Sequence, residues 1–530
     1  MDENKNLPPE GPPPEPAPVQ PVYTYQPYAY TPPPRYVFPL GKKELLFTAS
    51  VLLFSLLLCN CMIYAGADLG FALGMGGILI STGLYLRSCG HKPDGYTATL
   101  LILSLAIIAA FPRSADSSLK FWMVCVLLVV PSLAFCLMAG QNLRRPDGIS
   151  SLLDSPRTLF ALGFGRMAES GRGIAAACKT GGTIGKTGGA VALGLVITIP
   201  VIAILVPLLM SADAAFEGLL DLLPDFDWQE VFCTLLLGLS MGYVFYTRGA
   251  ALQHLPKSER EQKQRKGLNA ITVNTVLFAV AFVYAVYLVS QLAYFAGGFS
   301  GILPEGYTLA QYARRGFFEM GWLCAINLSV IALSVGLVSA REKAPLLTRM
   351  LCLFLGLVTL FLVAAASAKM FLYIGSYGLP RLRVLTEVFM LWLAATTVFL
   401  CIWLFRPRMP YMKLTLVLGL ALCAGLMWVD VDSQVARYNV RAYQDGRMEM
   451  VDVDYLSGLG YGAVPYIEEL VHCGDPETAA EAKTALMYYG VPDYDIRGWN
   501  WAKAKAKPIL EEYAAWQDYY SGRESAEVTP

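Results

Sequence analysis

Apolar runs of about twenty residues recur along the chain from Leu45 to Val429, each closed by a short polar or charged stretch. A hydrocarbon core of roughly 30 Å takes about 20 helical residues to cross. Backbone amides and carbonyls meet no water there, so runs of this length must satisfy their own hydrogen bonds as helices. A β-barrel would show short alternating segments instead, and the sequence has none. The pattern predicts about eleven spans, at 44–65, 67–87, 96–112, 119–139, 188–209, 229–248, 269–295, 316–339, 349–374, 383–405 and 411–429. The expected fold is an all-α, polytopic helical membrane protein with a small helical C-terminal segment.

The flanking stretches have a different pattern. Residues 1–41 are polar, with prolines and tyrosines interleaved in runs such as PPEGPPPEP, and are expected to form a disordered tail of polyproline II character. Residues 42–429 form the transmembrane domain. Beyond it, in 430–530, AVPYIEELVH, ETAAEAKTALMYYG and PILEEYAAWQDYY read as short helices. Leu456, Val464, Ile467, Leu470 and Leu486 are the expected core of that segment, and Trp499, Trp501 and Trp516 are placed in it or at the membrane interface. After Met210, Asp213, Glu217 and Asp221 recur every four residues opposite Phe216, Leu219, Leu220 and Leu223, the pattern of an amphipathic helix lying on the membrane surface. Pro200 and Pro207 should kink the fifth span.

Charge sets the orientation. The chain carries 41 basic and 41 acidic residues, and charged residues are only 15% of the total. Lysine and arginine gather in alternate loops, such as HLPKSEREQKQRKG and REKAPLLTR, with about 25 on one side and about 6 in the loops of the other. The N-terminus is therefore expected in the cytoplasm and, after an odd number of spans, the C-terminus outside. The first span would act as an uncleaved insertion signal. Basic residues dispersed in this way are explained by topology, and no nucleic-acid site is expected. Of the twelve cysteines only Cys473 falls in the external segment, so no internal disulfide is expected there.

Candidate chemistry is sparse. TGGTIGKTGG, residues 180–189, departs from a phosphate-binding loop because Thr180 stands where the first glycine belongs, and no strand precedes it. His91, His254 and His472 lie on separate loops, so neither a histidine metal centre nor a catalytic triad is expected, and no cofactor is implied. Cys59 and Cys61 lie inside the first span and read as small apolar packing residues. The informative groups are ionisable residues near span ends, because a charge at mid-bilayer costs at least about 2.5 kcal/mol and usually finds a partner. Arg314, Arg315 and Glu319 open the eighth span, with Asn327 on the same helical face. Lys369 and Tyr373 share a face of the ninth, Arg381 and Arg383 precede Glu387 in the tenth, and Tyr284, Tyr287, Gln291 and Tyr294 form a stripe on the seventh. These groups fall at one depth and suggest Glu319 with Lys369, and Glu387 with Arg381 or Arg383. They would either line an outward-open polar cavity or fix helix register as buried pairs.

The segment QYARRGFFEMGWL resembles a family of uncharacterised multi-pass membrane proteins of mainly Gram-positive bacteria, a domain of unknown function. The pattern YAR-x-GFFE is met by Tyr312, Ala313, Arg314, Gly316, Phe317, Phe318 and Glu319. Tyr373, Tyr377, Gly378, Leu379, Arg381 and Arg383 supply a second stretch, with Pro380 where the family has threonine. Ala436, Arg437, Tyr438 and Asn439 supply a third, followed by DVDYLSGLGYGAVPYIEEL. The resemblance covers roughly residues 190–470 and implies a protein of the bacterial plasma membrane, with no activity attached. Besides the lipid bilayer no partner is specified. Three roles stay open: sensing or scaffolding at the envelope, transport or lipid flipping through a polar cavity, and an intramembrane enzyme on a lipid-linked precursor with Glu319 as base.

Overall fold

A computed structural model describes residues 37–144, 149–180, 228–256, 268–298, 317–339 and 344–527, with isolated helical positions between 201 and 212. Among the described residues there is no strand. Residues 1–36 of the N-terminal tail, most of the fifth span with both its prolines, Asp213, Glu217 and Asp221 of the acidic stretch, and Arg314 and Arg315 lie outside them.

Nine helices among the described residues are long and apolar enough to cross a membrane. They are α1 (Lys42–Asn60, continued by a π-helical turn Cys61–Ala65), α2 (Leu69–Ser88), α4 (Ser117–Ala139), α6 (Trp228–His254), α7 (Ala270–Gly298), α8 (Phe317–Ser339), α9 (Leu346–Tyr377), α10 (Arg381–Phe405) and α11 (Tyr411–Val429). The expected third span is the apolar helix α3 (Gly95–Ala109), shorter than the rest, because Asp94 caps its start and a turn at Ala110 ends it. A polar helix, α5 (Met167–Thr180), precedes α6.

Two packing styles hold these helices together. In α2 and α6, glycines face α1: a Cβ added at Gly74 would come within 2.8 Å of the Leu58 backbone nitrogen, and one at Gly238 within 2.9 Å of the Leu56 Cα. Without a hydrophobic drive between helices in lipid, such close backbone approach is what dispersion and packing can reward. Helices α7–α10 instead interdigitate large side chains, burying Leu277, Ile331, Leu355, Leu362, Leu393 and Leu400 in one core. Helix α11 packs between α10 and α3 and so joins the two groups.

Beyond α11 the chain turns at Asp430, the one non-glycine residue with positive φ (54°) among the described residues, into α12 (Val431–Gln444). Then follow α13 (Val453–Ser457), α14 (Val464–Val471), α15 (Pro476–Tyr488) and α16 (Trp501–Glu527). Asp452 and Asp475 cap α13 and α15 through their side chains, and Pro476 opens α15, where a missing N–H costs nothing. Leu456, Val464, Ile467, Leu470 and Leu486 are all buried in the core these helices share, with Val435, Ala436, Val440 and Leu510.

These helices sit against one end of the bundle. Gly70 donates to the Arg497 carbonyl (2.8 Å), Trp501 to that of Pro112 (2.7 Å), and Arg381 to the Tyr455 hydroxyl (2.7 Å). The opposite end carries its own contacts: His91 with Gln253 (2.7 Å), His254 with Glu44 (3.4 Å), and Tyr243 donating to the Met167 carbonyl (2.7 Å).

Candidate functional site

The polar groups of this chain concentrate where the C-terminal helices meet the bundle. Helix α9 ends at Gly378, whose φ of +82° is a conformation that only glycine adopts without strain. The next residue is held by Asn439 of α12, buried to 5% exposure. Its Oδ1 accepts from the Leu379 N–H (2.8 Å), and its Nδ2 donates to the Leu379 carbonyl (3.0 Å). A Cβ at position 378 would meet Asn439 Oδ1 at 2.8 Å, so glycine there also makes room for the amide. Two stretches read separately in the sequence, around Gly378 and around Asn439, thus meet in space, and Tyr455 from the stretch that follows them binds the Arg381 N–H.

Arg381 begins α10, and its guanidinium lies 3.4 Å from Asp116, the N-cap of α4, and 3.7 Å from Asp432 of α12. Asp116, Asp430 and Asp432 are buried to 4, 6 and 2% exposure, and each leaves at least one carboxylate oxygen without a hydrogen bond. Burial, with the Asp116 charge adding to it, pushes the Asp432 carboxyl up to about 7. Burial also raises that of Asp430, against a Ser433 hydroxyl that donates to it at 2.5 Å. Arg381 faces both Asp116 and Asp432, two buried carboxylates for one cation, an arrangement that favours retention of a proton on Asp432.

Two further clusters were not singled out from the sequence. Asp68, the N-cap of α2, is 2% exposed and accepts from Lys120 of α4, Asn500 (2.8 Å) and Lys503 (2.8 Å). Asn500 also donates to the Ser114 carbonyl (2.7 Å). Arg497 bonds Glu230 at the start of α6 (2.7 Å) and Asn60 of α1 (2.5 Å). The available signal was an aspartate and a lysine at the ends of otherwise apolar helices, which also fits simple capping.

The remaining sequence-selected residues are scattered. Glu319 is exposed in the first turn of α8. Asn327 is buried in that helix, donates to Thr359 of α9 (3.1 Å) and lies beside Tyr284 of α7. Arg383 lies against the Met370 sulfur, while Glu387 is half-buried with Oε1 lacking a hydrogen bond. Arg437 is exposed, and Tyr438 stacks under Arg447, 5.6 Å from ring centre to guanidinium. The side chains of Gln291, Lys369, Tyr373 and Tyr377 lie outside the described residues. The structure therefore brings Arg381 and Asn439 to one joint.

Among the described residues no group of three histidine, cysteine or acidic side chains is arranged to hold a metal ion.

An all-α fold of repeated membrane-length helices makes this a multi-pass integral membrane protein. The family model described as "Domain of unknown function (DUF4153)" matches residues 97–470, more than half of the chain, and the protein belongs to that family. The match begins upstream of the resemblance seen in the sequence, taking in α3 and α4 as well. No curated protein and no solved structure matches the chain.

Proposed function

We propose that this is a non-catalytic sensing or scaffolding protein of a bacterial plasma membrane, with its N-terminus in the cytoplasm and its C-terminal helices outside. The observation that carries this reading is the joint itself. A helical segment with its own core is locked to the ends of α1, α2, α4, α6, α9 and α10 by ion pairs and amide hydrogen bonds. Anything that binds those helices is thereby mechanically coupled to most of the bundle. Their free side supports the same reading: an open groove of about 780 Å³ between α13 and α15 is lined by Asp454, Glu477 and Glu481, and Tyr488 beside it is 80% exposed. An acidic groove with an exposed aromatic suits a basic protein segment. The dense aliphatic core between α7 and α10 favours this role over transport through that region.

Two measurements test the proposal. An impermeant maleimide on intact cells should label Cys473 in a variant lacking the other cysteines, and should not label a variant that retains only Cys89. The reverse result overturns the orientation. A photo-cross-linker at Tyr488 in living cells should give one discrete protein adduct that is lost in Glu477→Lys/Glu481→Lys. If no adduct forms, and a deletion strain keeps its envelope-stress response, the sensing or scaffolding role is wrong.

A further inference from the structure

Two cavities adjoin at the end of α11, one polar and one apolar, with Val429 and Gln434 lining both. The polar cavity, about 310 Å³, lies between the membrane end of α11 and the C-terminal helices. Its charged lining is balanced: Arg113 and Lys505 supply two cations, Asp430 and Glu469 two carboxyls. Asp430 is 6% exposed and keeps Oδ1 free of any hydrogen bond. Arg113 is held by donating Nε–H to the Trp428 carbonyl, and the Lys505 ammonium lies 5.3 Å over the Trp501 ring. Trp428 and Trp501, each nearly half exposed, are the side chains expected at headgroup level.

The apolar cavity, about 320 Å³, runs between α10 and α11 beneath α12, along Val384, Val388, Leu422 and Leu426. Gly425 opens it, since a Cβ there would meet nothing within 4 Å. An apolar slot between two membrane-length helices, leading to a polar chamber at their end, has the shape of an amphiphile.

We propose that these adjoining cavities bind one zwitterionic aminophospholipid, its phosphate at Arg113 and Lys505, its ammonium at Asp430 and Glu469, and one acyl chain between α10 and α11. The balanced charge is what selects an amine-bearing headgroup. An anionic lipid such as phosphatidylglycerol would satisfy the cations and leave two carboxyls facing its negative charge. The proposal deepens the sensing role, making the lipid a component that the C-terminal helices register.

The test is a titration of the delipidated full-length protein in detergent micelles, followed by native mass spectrometry. Phosphatidylethanolamine should add as a single bound lipid, with about tenfold preference over phosphatidylglycerol. Gly425→Leu fills open space and should melt at the wild-type temperature while losing the lipid about tenfold. Glu469→Gln should narrow the headgroup preference without removing binding. Equal affinity for the two lipids, or wild-type binding by a folded Gly425→Leu, overturns the proposal. So does equal competition by glycerophosphoethanolamine, which has the headgroup and no tail. Failure here with a surviving Tyr488 adduct would remove the lipid and leave the sensing role intact.

Discussion

Helices α1, α2 and α6 and helices α7–α10 solve the same problem, association within lipid, in opposite ways. The first group brings backbones together at glycines and carries buried charges at one end. The second keeps its backbones apart with leucine and valine, and its internal polar contacts include neutral pairs such as Asn327–Thr359 and Thr348–Asn274 (2.7 Å). The difference follows from what each group must support. Asp68 at the start of α2, paired with Lys120 of the neighbouring α4, and Glu230 of α6 hold the C-terminal helices, and a buried charge such as Asp68 tolerates little displacement, so these helices need rigid, close packing. The aliphatic group reaches the C-terminal helices through Arg381 and Leu379 at its end.

The largest expected effect breaks the first group at its charges. Asp68→Ala leaves Lys120 buried beside Lys503 without its ion-pair partner, with only the more distant Asp116 charge to offset it, a change that costs about 3–5 kcal/mol. It should release the C-terminal helices, read as rapid proteolysis between Gly446 and Asp452. Asn327→Ala, at a neutral pair of the second group, should cost only about 1 kcal/mol in thermal unfolding. Equal losses would erase the contrast.

Next comes the packing itself. Gly74→Leu drives a side chain into the Leu58 backbone and should destabilise by about 1–3 kcal/mol or more. Gly336→Leu on α8 points into open space, where a Cβ meets nothing within 4 Å, and should leave the melting temperature within error. A comparable loss at both sites would show that glycine plays no special part between α1 and α2.

The smallest effect sharpens the place where the groups meet. The Asp432 carboxyl titrates well above its ordinary value in the folded protein, so the native state holds a proton that the unfolded chain has released. That contribution to stability is complete below about pH 4 and is lost as pH rises through about 7, a slope near 1.4 kcal/mol per pH unit at most. Between pH 6 and pH 8 the loss is on the order of 1 kcal/mol. Asp432→Asn should remove that decline and be the more stable protein at pH 8. A variant with an unchanged pH profile would exclude Asp432 as the titrating group.

Much of the architecture was legible in the sequence for a simple physical reason. The core of the C-terminal helices, Leu456 to Leu486, shows in the order of residues because helical periodicity is local. Gly378 and Asn439 stood out as parts of recurring stretches, yet nothing local indicated that the amide of one holds the backbone next to the other. Glu387 was expected to pair with Arg381 or Arg383 along one helix. Arg381 instead meets Asp116 and Asp432, carried by two other helices.

The sequence by itself determined the class of protein and the positions of its membrane-length helices among the described residues, because an unpaired backbone group in hydrocarbon is so costly that length and polarity alone dictate a span. Only the tertiary structure decided which charges are buried and with whom. Asp68 and Lys503 are 435 residues apart, and their interaction depends on a distance and a degree of burial that exist only once α16 has docked against α2.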